Sequence, residues 1–322
     1  MTSTAQQLAT LGGETMGTTW SVKLLASPRT DLHALHAAIQ SQLDRVVAQM
    51  STWEADSDIS LFNRLAAGTW QILPPEFFSV LSCALEIASA SDGAYDPTVG
   101  PLVDAWGFGA AASARRVPDT HILSDTRSRV GWQRLLLQAG SSSALQAGGV
   151  QLDLSAIAKG YGVDCVARCL RERGIESALV EVGGELYGYG CRLDGNAWQV
   201  LVESSPDEEA DATHEPRVIA LVDSAIATSG DRWHAFEQDG IQYSHTIDPR
   251  SGHPVPHAPA AVTVIANAAM HADAWATALT VMGVDAGFTF AQEKRLAARF
   301  MVHRDERWVE YMTDAFLASI PA

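Results

Sequence analysis

Strand-like and helix-like segments follow one another irregularly along this chain, and that order restricts the folds it can adopt. Short apolar runs at 135–137, 144–146 and 150–154 are joined by Gly/Ser turns, and a helix is expected next over 158–173, closed by Gly174. A doubly wound parallel sheet requires a regular alternation of strands and helices. The sequence therefore predicts an α+β fold in one compact unit, with mixed or antiparallel sheets flanked by helices.

Hydrophobic spacing places the other elements. Amphipathic patterns predict helices over 31–50, where Asp31 could cap the N-terminus, over 75–90, which starts at two prolines, and over 271–282. Further strands are expected at 16–25, 178–182, 198–203, 217–223, 262–266, 301–302 and 308–311. The acidic stretch 204–216 is expected to be a solvated loop.

Composition excludes several classes of protein. Of the 322 residues, 47% are hydrophobic and 19% charged, so the chain can bury a core and is not disordered as a whole. The chain has 38 acidic and 22 basic residues, a net charge of −16 that disfavours nucleic acids and anionic membranes as partners. A phosphorylated ligand would need local positive charge from a metal, a lysine or a helix N-terminus.

Neither a disulfide scaffold nor a membrane span is expected. The four cysteines are too few for such a scaffold in a chain of 322 residues, and no apolar run reaches ~18 residues. Residues 1–11 lack the basic and apolar regions of a signal peptide, so we expect a cytoplasmic location by default, with the true compartment left open.

Asp273 and Thr277 form the first candidate site. They lie four residues apart in the predicted helix 271–282 and so project from one face, among small alanines. A carboxylate and a hydroxyl suit magnesium or calcium better than zinc. The alternative interpretation is that Asp273 caps the helix and Thr277 packs in the core.

Lys159 marks a second candidate site, between a predicted strand and the start of the helix 158–173. Free amides and the positive end of the helix dipole suit a phosphate there, and Lys159 adds a full charge. Gly160 and Gly162 remove side chains where a ligand could approach. The alternative is an ordinary helix start with an exposed lysine.

His245 is a third candidate, as a general base near neutral pH. It precedes the turn Asp248-Pro-Arg-Ser-Gly252. The alternative is a structural histidine. The chain has no GxSxG or HExxH motif and thus no recognisable nucleophile of its own.

Taken in order, eight short segments are more specific than any one of them. They are Met16-Gly-Thr, Met50-Ser-Thr-Trp53, Asp92-Gly-Ala-Tyr-Asp-Pro-Thr-Val-Gly-Pro101, Leu152-Asp-Leu with Ala158-Lys-Gly-Tyr161, Val182-Gly-Gly, Thr228-Ser-Gly, Ser244-His-Thr-Ile-Asp-Pro249 and Ala272-Asp-Ala-Trp-Ala-Thr277. This pattern resembles the ApbE family, the FAD:protein FMN transferases. The resemblance implies one domain over 13–312, with tails at 1–12 and 313–322.

The resemblance also implies a reaction and its residues. FAD would be split at its diphosphate, FMN joined by a phosphoester to a threonine or serine of a target flavoprotein, such as an electron-transport or reductase subunit, and AMP released. Magnesium would be held by the backbone carbonyl of Ala156 and the side chains of Asp273 and Thr277. Flavin contacts would be made by Met16, Trp53, Ala94, Tyr95, Asp96, Asp153, Lys159, His245 and Ile247. His245 and Asp273 would be the catalytic residues.

Two positions depart from the family pattern. Trp53 replaces a tyrosine found in many relatives, which keeps an aromatic face but loses a hydroxyl. Met270 stands where some relatives have a further acidic ligand, so the number of metal ions, one or two, stays open. Since many relatives are exported lipoproteins, a periplasmic location would follow if a leader had been removed. Two other functions remain possible, an FAD pyrophosphatase that releases FMN and AMP, and a passive flavin-binding protein.

Overall fold

An eight-stranded antiparallel sheet organises the protein. The computed structural model describes residues 6–110, 114–202, 216–230, 235–255, 261–304 and 307–320. All but the last residue of the expected acidic loop 204–216 lies outside this part. The sheet has the strand order β1-β2-β6-β7-β10-β15-β16-β17, and every pairing in it is antiparallel. The predicted α+β class is confirmed.

The strands are β1 (Gln7–Thr15), β2 (Thr18–Ala26), β3 (Thr69–Ile72), β4 (Leu136–Gln138), β5 (Ser143–Gln146), β6 (Ala178–Val182), β7 (Glu185–Tyr189), β8 (Trp198–Leu201), β9 (Val218–Leu221), β10 (Ser224–Ser229), β11 (Ala235–Gln238), β12 (Ile241–Ser244), β13 (Ile247–Asp248), β14 (His253–Pro254), β15 (Ala261–Ala266), β16 (Ala297–Arg304) and β17 (Arg307–Met312). The helices are α1 (Leu32–Met50), α2 (Asp58–Asn63), α3 (Pro75–Ala90), α4 (Gly100–Ala105), α5 (Thr120–Ser128), α6 (Ala158–Glu172), α7 (Ala269–Lys294) and α8 (Asp314–Leu317). Short 3₁₀ turns lie at Trp132–Arg134 and Ala139–Ser141.

The strand predicted to start at Met16 starts at Thr18 instead. Met16 and Gly17 both have positive φ, at 50° and 72°, and form the two-residue turn between β1 and β2. Such a turn matches the twist of the paired strands. Residues 7–12, expected in a tail, pair with β2 as part of β1.

The expected strand at 150–154 is wrong. Its backbone groups bond to side chains and a turn rather than to a neighbouring strand. The Leu152 amide donates to Asn63 Oδ1 (2.7 Å) and its carbonyl accepts from Asn63 Nδ2 (3.0 Å), while the Asp153 amide donates to the Pro97 carbonyl (2.8 Å). The segment is therefore held without strand pairing, and its apolar side chains Val150, Leu152 and Leu154 pack in the second core, which lies under α3.

Helices α1, α6 and α7 pack on one face of the sheet. Apolar side chains of β2, β6, β10 and β15 pack against apolar side chains of these helices and form the main core. It includes Val22 and Val180 from the strands and Leu43, Val166 and Leu279 from the helices. A second core lies on the far side of these helices, under α3 and the small sheet β3-β5-β4. The opposite face of the large sheet is covered by β8, β9 and α8, whose Phe316 is fully buried. The junction of α6 and α7 thus lies between two cores.

Most predicted helix limits are confirmed. Asp31 caps α1 by accepting from the Ala34 amide, α3 spans 75–90 as expected, and Gly174 after α6 has φ 77°. The helix expected over 271–282 is longer, Ala269–Lys294, with non-helical φ/ψ at Gly283. Among the described residues, no helix combines the length and the apolar character that a bilayer crossing requires.

Candidate functional site

Helices α6 and α7 meet at Gly160. A Cβ at this residue would lie 2.3 Å from the carbonyl oxygen of Ala269, closer than any real contact. Only glycine therefore permits this approach. The expectation that Gly160 makes room for a ligand is corrected here, since the group that presses against it is the first turn of α7.

Asp164 fixes the same junction from the other side. Its two carboxylate oxygens accept from the amides of Ala269 (2.7 Å) and Met270 (3.0 Å), the first residues of α7. Burial raises the pKa of Asp164 to about 6, although the two amides oppose this shift. Because Asp164 caps α7, the interpretation of Asp273 as the cap is wrong.

Asp273 lies one turn into α7 and points at the start of α6. Its carboxylate is buried and accepts from the Gly160 amide at 3.1 Å. Burial raises the pKa of Asp273, while the nearby Lys159 ammonium and the Gly160 amide act in the opposite direction. Thr277 follows four residues later on the same face and is partly exposed.

The Gly160–Asp273 bond changes the start of α6. In a regular helix the Gly160 amide would donate to the carbonyl of Ala156. Here it donates to Asp273, and no described residue donates to the Ala156 carbonyl. A backbone oxygen is thus left open at the same helix end as the Asp273 carboxylate.

These donors fit a hard divalent cation. One carboxylate, one hydroxyl and one open carbonyl are oxygen ligands of the kind magnesium takes when substrate phosphates complete its coordination. Within the described ranges no group of three His, Cys, Asp or Glu side chains could hold a metal by itself.

Lys159 is not simply an exposed lysine. Its ammonium forms an ion pair with Glu185 at the start of β7, and its side chain is 32% exposed. The Glu185 carboxylate is buried, and burial together with the charge of Asp273 raises its pKa to about 8, while Lys159 lowers it. Three ionisable side chains, those of Lys159, Glu185 and Asp273, thus lie at the α6–α7 junction.

The turn with Ala94, Tyr95 and Asp96 adjoins this junction. The Asp153 amide donates to Pro97, which brings Asp153 beside the turn. The buried Tyr95 hydroxyl has no partner among the described residues, and burial followed by the charge of Asp273 raises its pKa. Asp96 accepts from the Thr98 amide (2.8 Å), the Thr98 hydroxyl (2.6 Å) and the Trp132 amide (2.9 Å), so its side chain holds the turn together.

Met16 packs against α6, whereas Trp53 lies on the surface. Met16 Cε is 3.1 Å from where a Cβ on Gly162 would lie, so its side chain packs over α6. Trp53 is 70% exposed, which excludes a core role for the indole. Its neighbour Thr52 lines an open cavity that Asp153 also borders.

His245 and Ile247 belong to a second group of residues. His245 is half-buried and its ring lies edge-on to Phe108, with centroids 6.3 Å apart. Ile247 is buried against Trp106, whose indole donates to the Gly252 carbonyl (2.9 Å). His245 directly follows β12, which ends with Ser244.

Sequence reasoning did not single out Glu185. Its position directly after Gly183-Gly184 was a signal, because a charged residue at a tight strand junction is unusual in a buried sheet. Sequence reasoning gave no role to Asp164 either. Its function as the cap of α7 depends on two chain segments more than 100 residues apart, which no local pattern can show.

The fold is that of flavin transferases of known structure. The flavinyl transferase ApbE of Pseudomonas stutzeri, in its apo form, superposes with a TM-score of 0.90 at 35% identity, over 98% of both chains. The ApbE protein of Thermotoga maritima gives 0.85 at 26% identity, over 98% of this chain and 100% of that one. The shared architecture defines the class of protein.

The sequence places the chain within that class. The model of the ApbE family matches residues 16–300. The FAD:protein FMN transferase of Vibrio cholerae is 38% identical over 307 residues, which cover 95% of this chain and 91% of the relative. The chain belongs to the ApbE family, a family of transferases, and the expected resemblance is confirmed.

Proposed function

We propose that this protein is a magnesium-dependent FAD:protein FMN transferase. The observation that carries the proposal is the hydrogen bond from the Gly160 amide to the Asp273 carboxylate (3.1 Å), which places this carboxylate beside the residue that follows Lys159, at the close contact of α6 and α7. The reaction joins the riboflavin-side phosphorus of FAD to a threonine or serine oxygen of a target flavoprotein and releases AMP. The similar protein of Vibrio cholerae is named FAD:protein FMN transferase, which supports the proposal.

The charges of the site suit a diphosphate in an otherwise acidic protein. The net charge of −16 disfavours anions in general. Lys159 and the N-terminal end of α6 supply positive potential at one place. Binding of the FAD diphosphate then depends on local positive charge rather than on the charge of the whole surface.

Ala156, Asp273 and Thr277 would hold the cation beside this diphosphate. Bound magnesium would supply Lewis-acid stabilisation of the charge that develops on the phosphate oxygens. Asp273 is the residue of this set with a formal charge, and its buried position shields it from competing water. Its role is to bind and orient, since the acceptor hydroxyl needs a separate proton acceptor.

We assign the role of this proton acceptor to His245. The acceptor hydroxyl oxygen forms the new P–O bond, the bond from the same phosphorus to the AMP oxygen breaks, and the hydroxyl proton passes to a ring nitrogen of His245. Removal of a general base typically costs ~10²–10⁴-fold in rate. His245→Ala should lower the transfer rate in this range while the dissociation constant of FAD changes little.

The experiment that tests the proposal is a single-turnover reaction with FAD, Mg²⁺ and a candidate acceptor protein. Mass spectrometry should find FMN added to the acceptor, lost when its threonine is replaced by alanine, with one AMP per FMN. Equally fast AMP release without acceptor would instead support an FAD pyrophosphatase. Intact FAD in the presence of acceptor would support a passive flavin-binding protein.

A further inference from the structure

Glu185 is placed to control the direction of the Lys159 side chain. The ammonium contacts Glu185 Oε1, and the alkyl chain of Lys159 passes over Gly183, where an added Cβ would lie 3.3 Å from Lys159 Cδ. Gly183 has φ 59° and its amide donates to the Thr19 carbonyl (3.0 Å). The Lys159 side chain thus packs over the Gly183-Gly184 turn and ends at the Glu185 carboxylate.

The ion pair has features that a purely structural pair would lack. The Glu185 side chain is 3% exposed, yet Oε2 has no hydrogen-bond partner among the described residues. Buried carboxylates kept for stability usually have both oxygens satisfied, and replacing a buried ion pair by apolar residues is often neutral or stabilising. The fold therefore has no evident need for a charge at this position.

Lys159 also has a competing partner. Lys159 directly precedes Gly160, whose amide donates to the Asp273 carboxylate (3.1 Å), so the long lysine side chain starts beside this second carboxylate. Without Glu185, the flexible lysine could move to Asp273, where it would neutralise the candidate metal ligand and leave the diphosphate. A second, fixed carboxylate removes that alternative.

We propose that Glu185 is a positioning residue that holds the Lys159 ammonium toward the FAD diphosphate and away from Asp273. This inference rests on the proposed function, because it takes FAD as the ligand. It assigns a role to the Val182-Gly-Gly motif, whose two glycines let the strand turn beneath the lysine. Glu185 acts through Lys159 and has no contact of its own with the reacting atoms.

The test is a double-mutant cycle on FAD binding, measured by titration calorimetry with a chelator present and no acceptor. By charge alone, Glu185→Ala would strengthen binding of a dianionic ligand. Positioning predicts the opposite sign, a loss of about tenfold. In a Lys159→Met background, Glu185→Ala should cause no further loss. Stronger binding by the single variant, or additive losses in the double variant, would overturn the proposal.

Glu185→Gln is the conservative variant, and it keeps the test valid if the alanine variant fails to fold. Its amide oxygen can still accept from Lys159, so binding should stay within about threefold of wild type. Binding as weak as that of Lys159→Met would argue against positioning. The matched control is Glu181→Gln, on the opposite face of the same hairpin, where Glu181 accepts from Ser21 (2.8 Å). A loss equal to that of Glu185→Ala in this control would also count against the proposal.

The result of this cycle can be distinguished from a failure of the proposed transferase function. The cycle needs neither magnesium nor an acceptor, so a chain that binds FAD but transfers nothing would refute the transferase while leaving the Glu185 result intact. Conversely, an active transferase with additive losses in the cycle would refute only the role of Glu185.

Discussion

The backbone amide of Gly160 donates to the carboxylate of Asp273 at 3.1 Å, across 113 residues of sequence. This bond takes the amide away from the Ala156 carbonyl and directs Asp273 to the N-terminal end of α6. Two of the three expected metal ligands are therefore arranged by one hydrogen bond, and the third, Thr277, follows from the helical repeat.

Asp273→Ala should abolish metal-dependent transfer and leave the fold intact. Asp273 is the only charged side chain of the proposed ligand set, and its burial raises the pKa of the carboxyl because a buried charge loses its hydration. The measurement is Mg²⁺-dependent AMP release alongside the melting temperature. Asp285→Ala is the matched control, since Asp285 lies on α7 with its side chain 91% exposed, and it should retain activity. Full activity of the Asp273 variant would refute the ligand assignment.

Asp164→Ala should weaken binding of the cation without removing a ligand. Asp164 holds the first turn of α7 through two amides, and residues that orient metal ligands typically contribute ~10–100-fold in affinity. Mn²⁺ titration followed by electron paramagnetic resonance would measure the change. Asp31→Ala removes the cap of α1 instead. It should lower stability by ~0.5–2 kcal/mol and leave metal affinity unchanged. Equal metal affinity in both variants would exclude the role of Asp164.

Trp53→Ala should weaken FAD binding by ~1–3 kcal/mol, using base–aromatic stacking as the analogue. Since the indole is 70% exposed, its removal should not change the melting temperature appreciably. Fluorescence titration with FAD gives the dissociation constant. Trp70→Ala, at a 47% exposed tryptophan on β3, provides the comparison and should bind FAD as the wild type does. Equal affinity in the two variants would show that Trp53 does not contact the flavin nucleotide.

Glu310→Gln should remove a pH-dependent part of the stability. Burial raises the pKa of Glu310, but hydrogen bonds from Arg217 and Arg299 outweigh it and hold the pKa below the ordinary value of 4.5. A lowered carboxyl pKa stabilises the folded state above the unfolded value, and this contribution is lost as pH falls through the folded value. The variant should be less stable by ~1–3 kcal/mol at pH 7. Thermal unfolding at several pH values should show this difference shrinking below about pH 4.5, and a constant difference would contradict the assignment.

Local sequence was sufficient for several elements. Asp31, the apolar spacing after it and Gly174 fixed the limits of α1 and α6, because caps and helical periodicity act within a few residues. The strand predicted from local sequence at 150–154 was wrong, although the apolar run there is typical of a strand. There the backbone bonds to the side chain of Gln146, four residues before Val150, and to that of Asn63, which is 89 residues from Leu152 and is brought there by tertiary packing.

Some features of the candidate site could likewise be predicted from the sequence, and others could not. By itself, the sequence determined the class of fold, the family, and the presence of a carboxylate and a hydroxyl on one helical face, since these follow from local periodicity and motif order. Only the tertiary structure decided that Asp164 caps α7, that Gly160 meets Ala269, and that Glu185 holds Lys159. Each of these contacts joins segments distant in sequence, and their partners are chosen by how the sheet and helices pack, which no short stretch of residues encodes.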